Sequence, residues 1–317
     1  MNIFFLFLDG IGLGENDPEK NPFARARMPY LQSLLGGQTL IRETAPFEGD
    51  HATLLSVDPN LGVEGLPQSA TGQAVLLTGI NIPAELGYHY GPKPNPEVAQ
   101  YLDGKTIFAK TVKAGKKTAL LSAYPPRYFA GINSGKHLYS AIPLALTNAG
   151  VPLFTKDDYY EGRALSADFT GQGWRKFLNL HDAPIYEPEE AGKKLAELAS
   201  QYDFSLFEYW ASDYAGHKQD MDSAVRQLET FDGVLKGLLE TWGKSDWQHR
   251  TGAAAQVSDL LLLTSDHGNM EDLSTRRHTA ANVPLLLFGE KAHRREFQKD
   301  IHDLTGIAPA ISKILGL

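Results

Sequence analysis

The chain opens on an unbroken apolar run, Ile3–Leu8, closed by Asp9-Gly10-Ile11-Gly12. A run this short with no alternation predicts a strand buried on both faces. Leu260–Thr264, four leucines and a threonine, and Val283–Phe288 read the same way, as does Phe204–Tyr209. Between these runs the apolar period lengthens to that of a helix. Residues 69–78 carry such spacing after the break at Pro67-Gln68. Residues 106–115 do too, ending at Gly115, and Lys117–Ser122 follows as a strand. Glu187–Gln201 sets Ala191, Leu195 and Leu198 on one face. Glu187, Glu189 and Glu190 lie in its first turn, where the helix dipole favours acids. Met221–Trp242 is a long helix and 305–315 a short closing one. Apolar strands alternating with helices predict an α/β fold, a mostly parallel sheet with helices on both faces.

From 124 to 186 the pattern changes. The stretch is rich in Tyr, Pro, Gly and Asn, its periodicity is poor, and the stiff segment Gly91-Pro92-Lys93-Pro94-Asn95-Pro96 precedes it. It reads as a small inserted cap, with residues 1–123 and 187–317 forming the core. A length of 317 residues suits one large domain plus such a unit.

Composition narrows the function. With 42% apolar and 21% charged residues the chain is an ordinary globular one. Its net charge of -8 argues against a general nucleic-acid or anionic-membrane binder. The absence of cysteine excludes disulfides, zinc–thiolate sites and a cysteine nucleophile. No run is long enough to span a bilayer, and Ile3–Leu8 is too short for a signal-peptide core. These features predict a cytoplasmic protein.

In an open parallel sheet, ligands bind at the carboxyl ends of the strands. Asp9 follows the first strand, Asp213 and His217 follow Phe204–Tyr209, and Asp266 and His267 follow Leu260–Thr264. His278 just precedes Val283–Phe288. Alone, Asp9 is as well explained as a turn former, Asp213 and His217 as a helix-surface pair, and His267 as a core histidine. Together they bring carboxylates and imidazoles from four segments to one edge, a set that calls for cations. Mixed Asp and His ligands suit zinc, manganese or iron rather than calcium. Ser69, at the head of the 69–78 helix, is either a plain N-cap or a nucleophile whose alkoxide the helix N-terminus favours. Thr71 is the second candidate.

With these pieces in order, the chain resembles the alkaline phosphatase superfamily. The resemblance is to the metalloenzyme branch that holds cofactor-independent phosphoglycerate mutase and phosphopentomutase. The matching segments are Leu8-Asp9-Gly10-Ile11-Gly12, the Ser69 segment, Asp213 through His217, Thr264 through Asn269, His278-Thr279 with Asn282-Val283-Pro284, and the stretch from Asp303 to the end. The resemblance implies one divalent metal on Asp9, Ser69, Asp266 and His267, and another on Asp213, His217 and His278. Manganese is favoured and zinc is compatible. It also implies a phosphoserine at Ser69 and a small phosphorylated substrate. Around the nucleophile the mutase pattern Asn-Ser-Glu-Val-Gly-His becomes Gln68-Ser69-Ala70-Thr71-Gly72-Gln73, without the Glu and the His. Phosphatase and phosphomutase therefore both stay open. The alternatives are a phosphonate or phosphodiester hydrolase, or a non-catalytic metal-binding protein. A sulfatase is excluded, since Ser69 lacks the Cys/Ser-x-Pro-x-Arg context. Arg127, Lys136, Arg163 and Arg175 are candidate substrate cations in the cap, with Tyr124 through Phe129 the first segment to suspect as a pocket wall.

Overall fold

A computed structural model describes residues 1–242 and 259–317. Among the described residues nine strands form two sheets: β1 (Ile3–Leu8), β2 (Phe47–Glu48), β3 (Ala52–Val57), β4 (Thr118–Leu120), β5 (Ser122–Ala123), β6 (Leu165–Ser166), β7 (Phe204–Tyr209), β8 (Leu260–Thr264) and β9 (Val283–Phe288). The main sheet has the order β2-β3-β9-β8-β1-β7-β4, and β5 pairs with β6 apart from it.

Strand β1 shows why these runs are apolar throughout. Phe4, Leu6 and Leu8 belong to the core on one face, and Ile3, Phe5 and Phe7 to the core on the other. Side chains alternate across a strand, so a sheet covered on both faces needs apolar residues at every position. One cover is built from the Pro188–Ala199 and Met221–Thr241 helices, through Leu195, Leu198, Leu228 and Leu235. The other comes from the Ser69–Thr78, Ile107–Lys113 and Ile307–Leu315 helices. Burying each large side chain of β1 is worth roughly 1.5–3 kcal/mol.

The parallel expectation holds for β8, β1, β7 and β4. On the other side β9 runs antiparallel to both β8 and β3, and β2 antiparallel to β3. Apolar runs encode double-sided burial, not strand direction, so the sequence could not distinguish these cases. Direction matters for the site. The register pairs Leu8 with Tyr209, Phe7 with Thr264 and Val57 with Val283. The carboxyl ends of β1, β7, β8 and β3 therefore share one edge with the amino end of β9. Residues after four strands and before a fifth converge there.

The stretch 124–186 holds four helices, Pro126–Asn133, Ala141–Asn148, Lys156–Tyr160 and Gln172–Leu178. Each has eight residues or fewer, too few turns to display a period. Ile142 and Leu146 join one core face, and Tyr159, Leu165, Phe169 and Trp174 the other. Among the described residues no helix is long and apolar enough to cross a membrane.

Candidate metal centre and nucleophile

Asp9 sits at the end of β1, and Asp266 and His267 just after β8, all buried. Asp213 and His217 lie on the Ala211–Lys218 helix that leaves β7. His278 enters from the segment before β9. The structure brings all six together. Candidate ligand atoms of Asp213, His217 and His278 lie within 4.8 Å of one another, as do those of Asp9, Asp213 and His267. Asp213 thus reaches both groups. Asp266 adjoins the second, its Oδ2 lying 3.6 Å from His267 Nε2.

The three imidazoles share one orientation logic. His217 Nδ1 bonds the Arg276 carbonyl at 2.7 Å, His278 Nδ1 the Pro67 carbonyl at 2.8 Å, and His267 Nδ1 the Gly268 carbonyl at 3.4 Å. A carbonyl only accepts, so each Nδ1 donates and each Nε2 is left to face the cluster. Those Nε2 atoms face the carboxylates: 3.2 Å from His217 to Asp213, 3.7 Å from His278 to Asp213, and 3.4 Å from His267 to Asp9. The rings of His267 and His278 stack with centroids 3.7 Å apart.

Electrostatics show what the cluster lacks. Burial, then the carboxylates of Asp266, Asp213 and Glu208, hold Asp9 well above the usual carboxylate range. Burial and Asp213 push Asp266 up to about 7. Burial pushes His267 down to about 3, with His278 adding to it. Among the described residues no lysine or arginine forms an ion pair with these acids. Asp9 Oδ1 and Asn269 Oδ1 are buried without a hydrogen-bond partner. Crowded, desolvated carboxylates, imidazole Nε2 atoms turned toward them and orphaned oxygens together fit divalent cations.

Ser69 is the first residue of its helix, with Gln68 at the N-cap. It is therefore not the capping residue. Its Oγ lies 3.0 Å from His267 Nε2, inside the cluster. Thr71 is elsewhere: its hydroxyl faces the carbonyls of Gln68 and Tyr90. Gly72 lets the helix approach, since a Cβ there would lie 2.9 Å from both Cβ and the backbone oxygen of Asp266. Of the cap cations, Arg163 pairs with Asp158 and Glu161, and Arg175 bonds the Ala183 carbonyl. Arg127 reaches the Phe177 carbonyl at 3.4 Å, and Lys136 is exposed. None of the four touches the cluster.

Three residues join the site that motif reading did not single out. Gln73 Nε2 donates to Asp9 Oδ2 at 3.4 Å and to Asp266 Oδ2 at 3.2 Å, from the position where the mutase pattern has His. Glu208, on β7, is raised to about 7 by burial and accepts from the Tyr124 hydroxyl at 3.1 Å. Its signal was a lone acid in an apolar strand. Glu271 is buried beneath the loops, accepting from Gly12 N at 2.9 Å and Asn269 N at 2.7 Å, and from the Thr279 hydroxyl. A Cβ on Gly12 would lie 2.5 Å from its carboxyl carbon.

The sequence profile described as the Metalloenzyme superfamily matches residues 183–317. A similar curated protein is the 2,3-bisphosphoglycerate-independent phosphoglycerate mutase of Serratia proteamaculans, 27% identical over 210 residues. The match takes in 62% of this chain and only 37% of that enzyme. Among solved structures, the alkaline phosphatase of the Antarctic bacterium TAB5 superposes with a TM-score of 0.58 at 15% identity, covering 99% of this chain and 98% of that one. The PH0037 protein of Pyrococcus horikoshii gives 0.55 at 13% identity, with 99% and 96% covered.

Proposed function

We propose, from the premise that the chain belongs to the alkaline phosphatase superfamily, that it transfers or hydrolyses the phosphoryl group of a phosphate ester with Ser69 as nucleophile. The observation that carries this reading is the Ser69 hydroxyl, held at a helix N-terminus 3.0 Å from His267 Nε2 within a cluster built for cations. Asp213, His217 and His278 would hold one divalent ion. Asp9, Ser69, Asp266 and His267 would hold the other, with Asp213 in reach of both. Manganese is the preferred ion, with zinc served by the same ligands. When bound, the ions supply a lowered pKa for the serine hydroxyl and charge neutralisation at the phosphoryl oxygens.

The chain's own residues do the rest. Helix N–H groups behind Ser69 favour the incoming anion. Ser69 Oγ forms a bond to phosphorus as the ester oxygen departs. Water or a second substrate hydroxyl then takes the phosphoryl group from Ser69, which separates phosphatase from phosphomutase. The 124–186 stretch serves as a wall of the site, anchored by the Tyr124 contact with Glu208.

The test is metal analysis of the purified protein together with phosphate release from para-nitrophenyl phosphate in added manganese or zinc, beside Ser69→Ala. The expected result is about two ions per chain and a loss of at least roughly a thousandfold in the variant. Metal binding without ester hydrolysis points to the mutase branch of the reading. A chain that binds no metal contradicts it.

A further inference from the structure

Beside the cluster, two large aromatic side chains stand in solvent: Trp210 is 52% exposed and Tyr214 56%. Single exposed aromatics need no explanation, but these two share a surface with the site. Trp210 caps the Ala211–Lys218 helix with helical dihedrals, and Tyr214 N bonds Trp210 O across one turn. Positions 210, 213, 214 and 217 stand at i, i+3, i+4 and i+7, one stripe of a helix. Asp213 and His217 on that stripe carry candidate metal-ligating atoms. Trp210 and Tyr214 therefore share the helix stripe that carries Asp213 and His217 and are exposed to solvent.

The same rim is cationic. Lys218 Nζ lies 5.3 Å over the Tyr214 ring. Arg276, whose carbonyl fixes His217, donates from Nε to Gln219 Oε1 at 3.1 Å, and Arg277 follows it in the chain. None of these three cations forms an ion pair among the described residues, in a chain of net charge -8. Aromatic faces with unpaired cations beside them match a ligand that joins a flat ring to a negative charge.

We propose that Trp210 and Tyr214 form a stacking platform for the leaving group, and that the substrate is a phosphate ester of a ring-bearing alcohol of the nucleoside type. The proposal rests on the phosphoryl-transfer reading of the site and adds the substrate class to it.

Two measurements test it. The first titrates adenosine monophosphate and glycerol phosphate into metal-loaded Ser69→Ala protein by calorimetry, so that no turnover is needed, with and without Trp210→Ala or Tyr214→Ala. The nucleotide is expected to bind more tightly than glycerol phosphate. Its advantage should shrink by roughly 10–100-fold in either alanine variant and return in Trp210→Phe or Tyr214→Phe. The second compares kcat/KM for the two esters with Ser69 intact, where the same ratio should fall in the alanine variants. No preference for the nucleotide, or a preference untouched by both alanine variants, overturns the platform. Nucleotide binding through the platform with no phosphoryl group transferred to Ser69 and no phosphate released from either ester would instead refute the phosphoryl-transfer reading and leave the platform standing.

Discussion

At the scale of single residues, the centre depends on small polar groups that balance its charges. Gln73 offers one amide to two carboxylates, Asp9 and Asp266. An amide is neutral, so it orients those oxygens without competing with a cation for their charge. Gln73→Ala is expected to weaken manganese binding by roughly 10–100-fold, the cost of losing a partner behind a ligand. Unchanged affinity by calorimetry would show that the amide orients nothing. The ligand candidates themselves were legible in the sequence, because each stands beside an apolar run whose end fixes its place. Gln73, Glu208 and Glu271 were not. Their roles come from contacts between segments far apart in the chain, which no local spacing records.

At the scale of elements, Glu271 is the joint between the loop after β1 and the loop after β8. It satisfies the buried N–H groups of Gly12 and Asn269 and holds Thr279, one residue from His278. Glu271→Ala would leave two buried donors unpaired, at about 1–3 kcal/mol each. Thermal unfolding of the metal-loaded variant should show a stability loss of about 2–5 kcal/mol; a loss under about 0.5 kcal/mol, as for surface substitutions, would contradict this role. Strands β1, β7, β8 and β9 were readable residue by residue from their apolar runs. The direction of β9 was not, although it places His278 at the shared edge. The short helices of 124–186 escaped detection because a helix of one or two turns shows too little of its period.

At the scale of the molecule, the cluster gathers acids from β1, the helix after β7 and the loop after β8, so cations there would tie distant segments together. The effect should depend on pH. Burial holds Asp266 and Glu208 at about 7 and His267 at about 3. Without metal, the folded chain keeps protons on the two carboxyls that the unfolded chain releases. Their share of stability therefore falls as pH rises from the ordinary carboxylate range to about 7. His267 acts oppositely, adding stability as pH rises from about 3 to about 6.5. Asp9, also raised, sides with the carboxyls, which outweigh the single imidazole. Cations need the deprotonated acids and reverse the loss. The gain in Tm from saturating manganese over chelated protein should thus be larger at about pH 8 than at about pH 5. A smaller gain at the higher pH would refute this electrostatic account.

The central claim is that Ser69 accepts a phosphoryl group. The most direct measurement mixes metal-loaded protein with excess phosphate ester, quenches in acid, and maps the product by mass spectrometry. The account predicts one phosphoryl group on the peptide carrying Ser69 and none in Ser69→Ala. Phosphate released with Ser69 never modified, and undiminished in the variant, would contradict it.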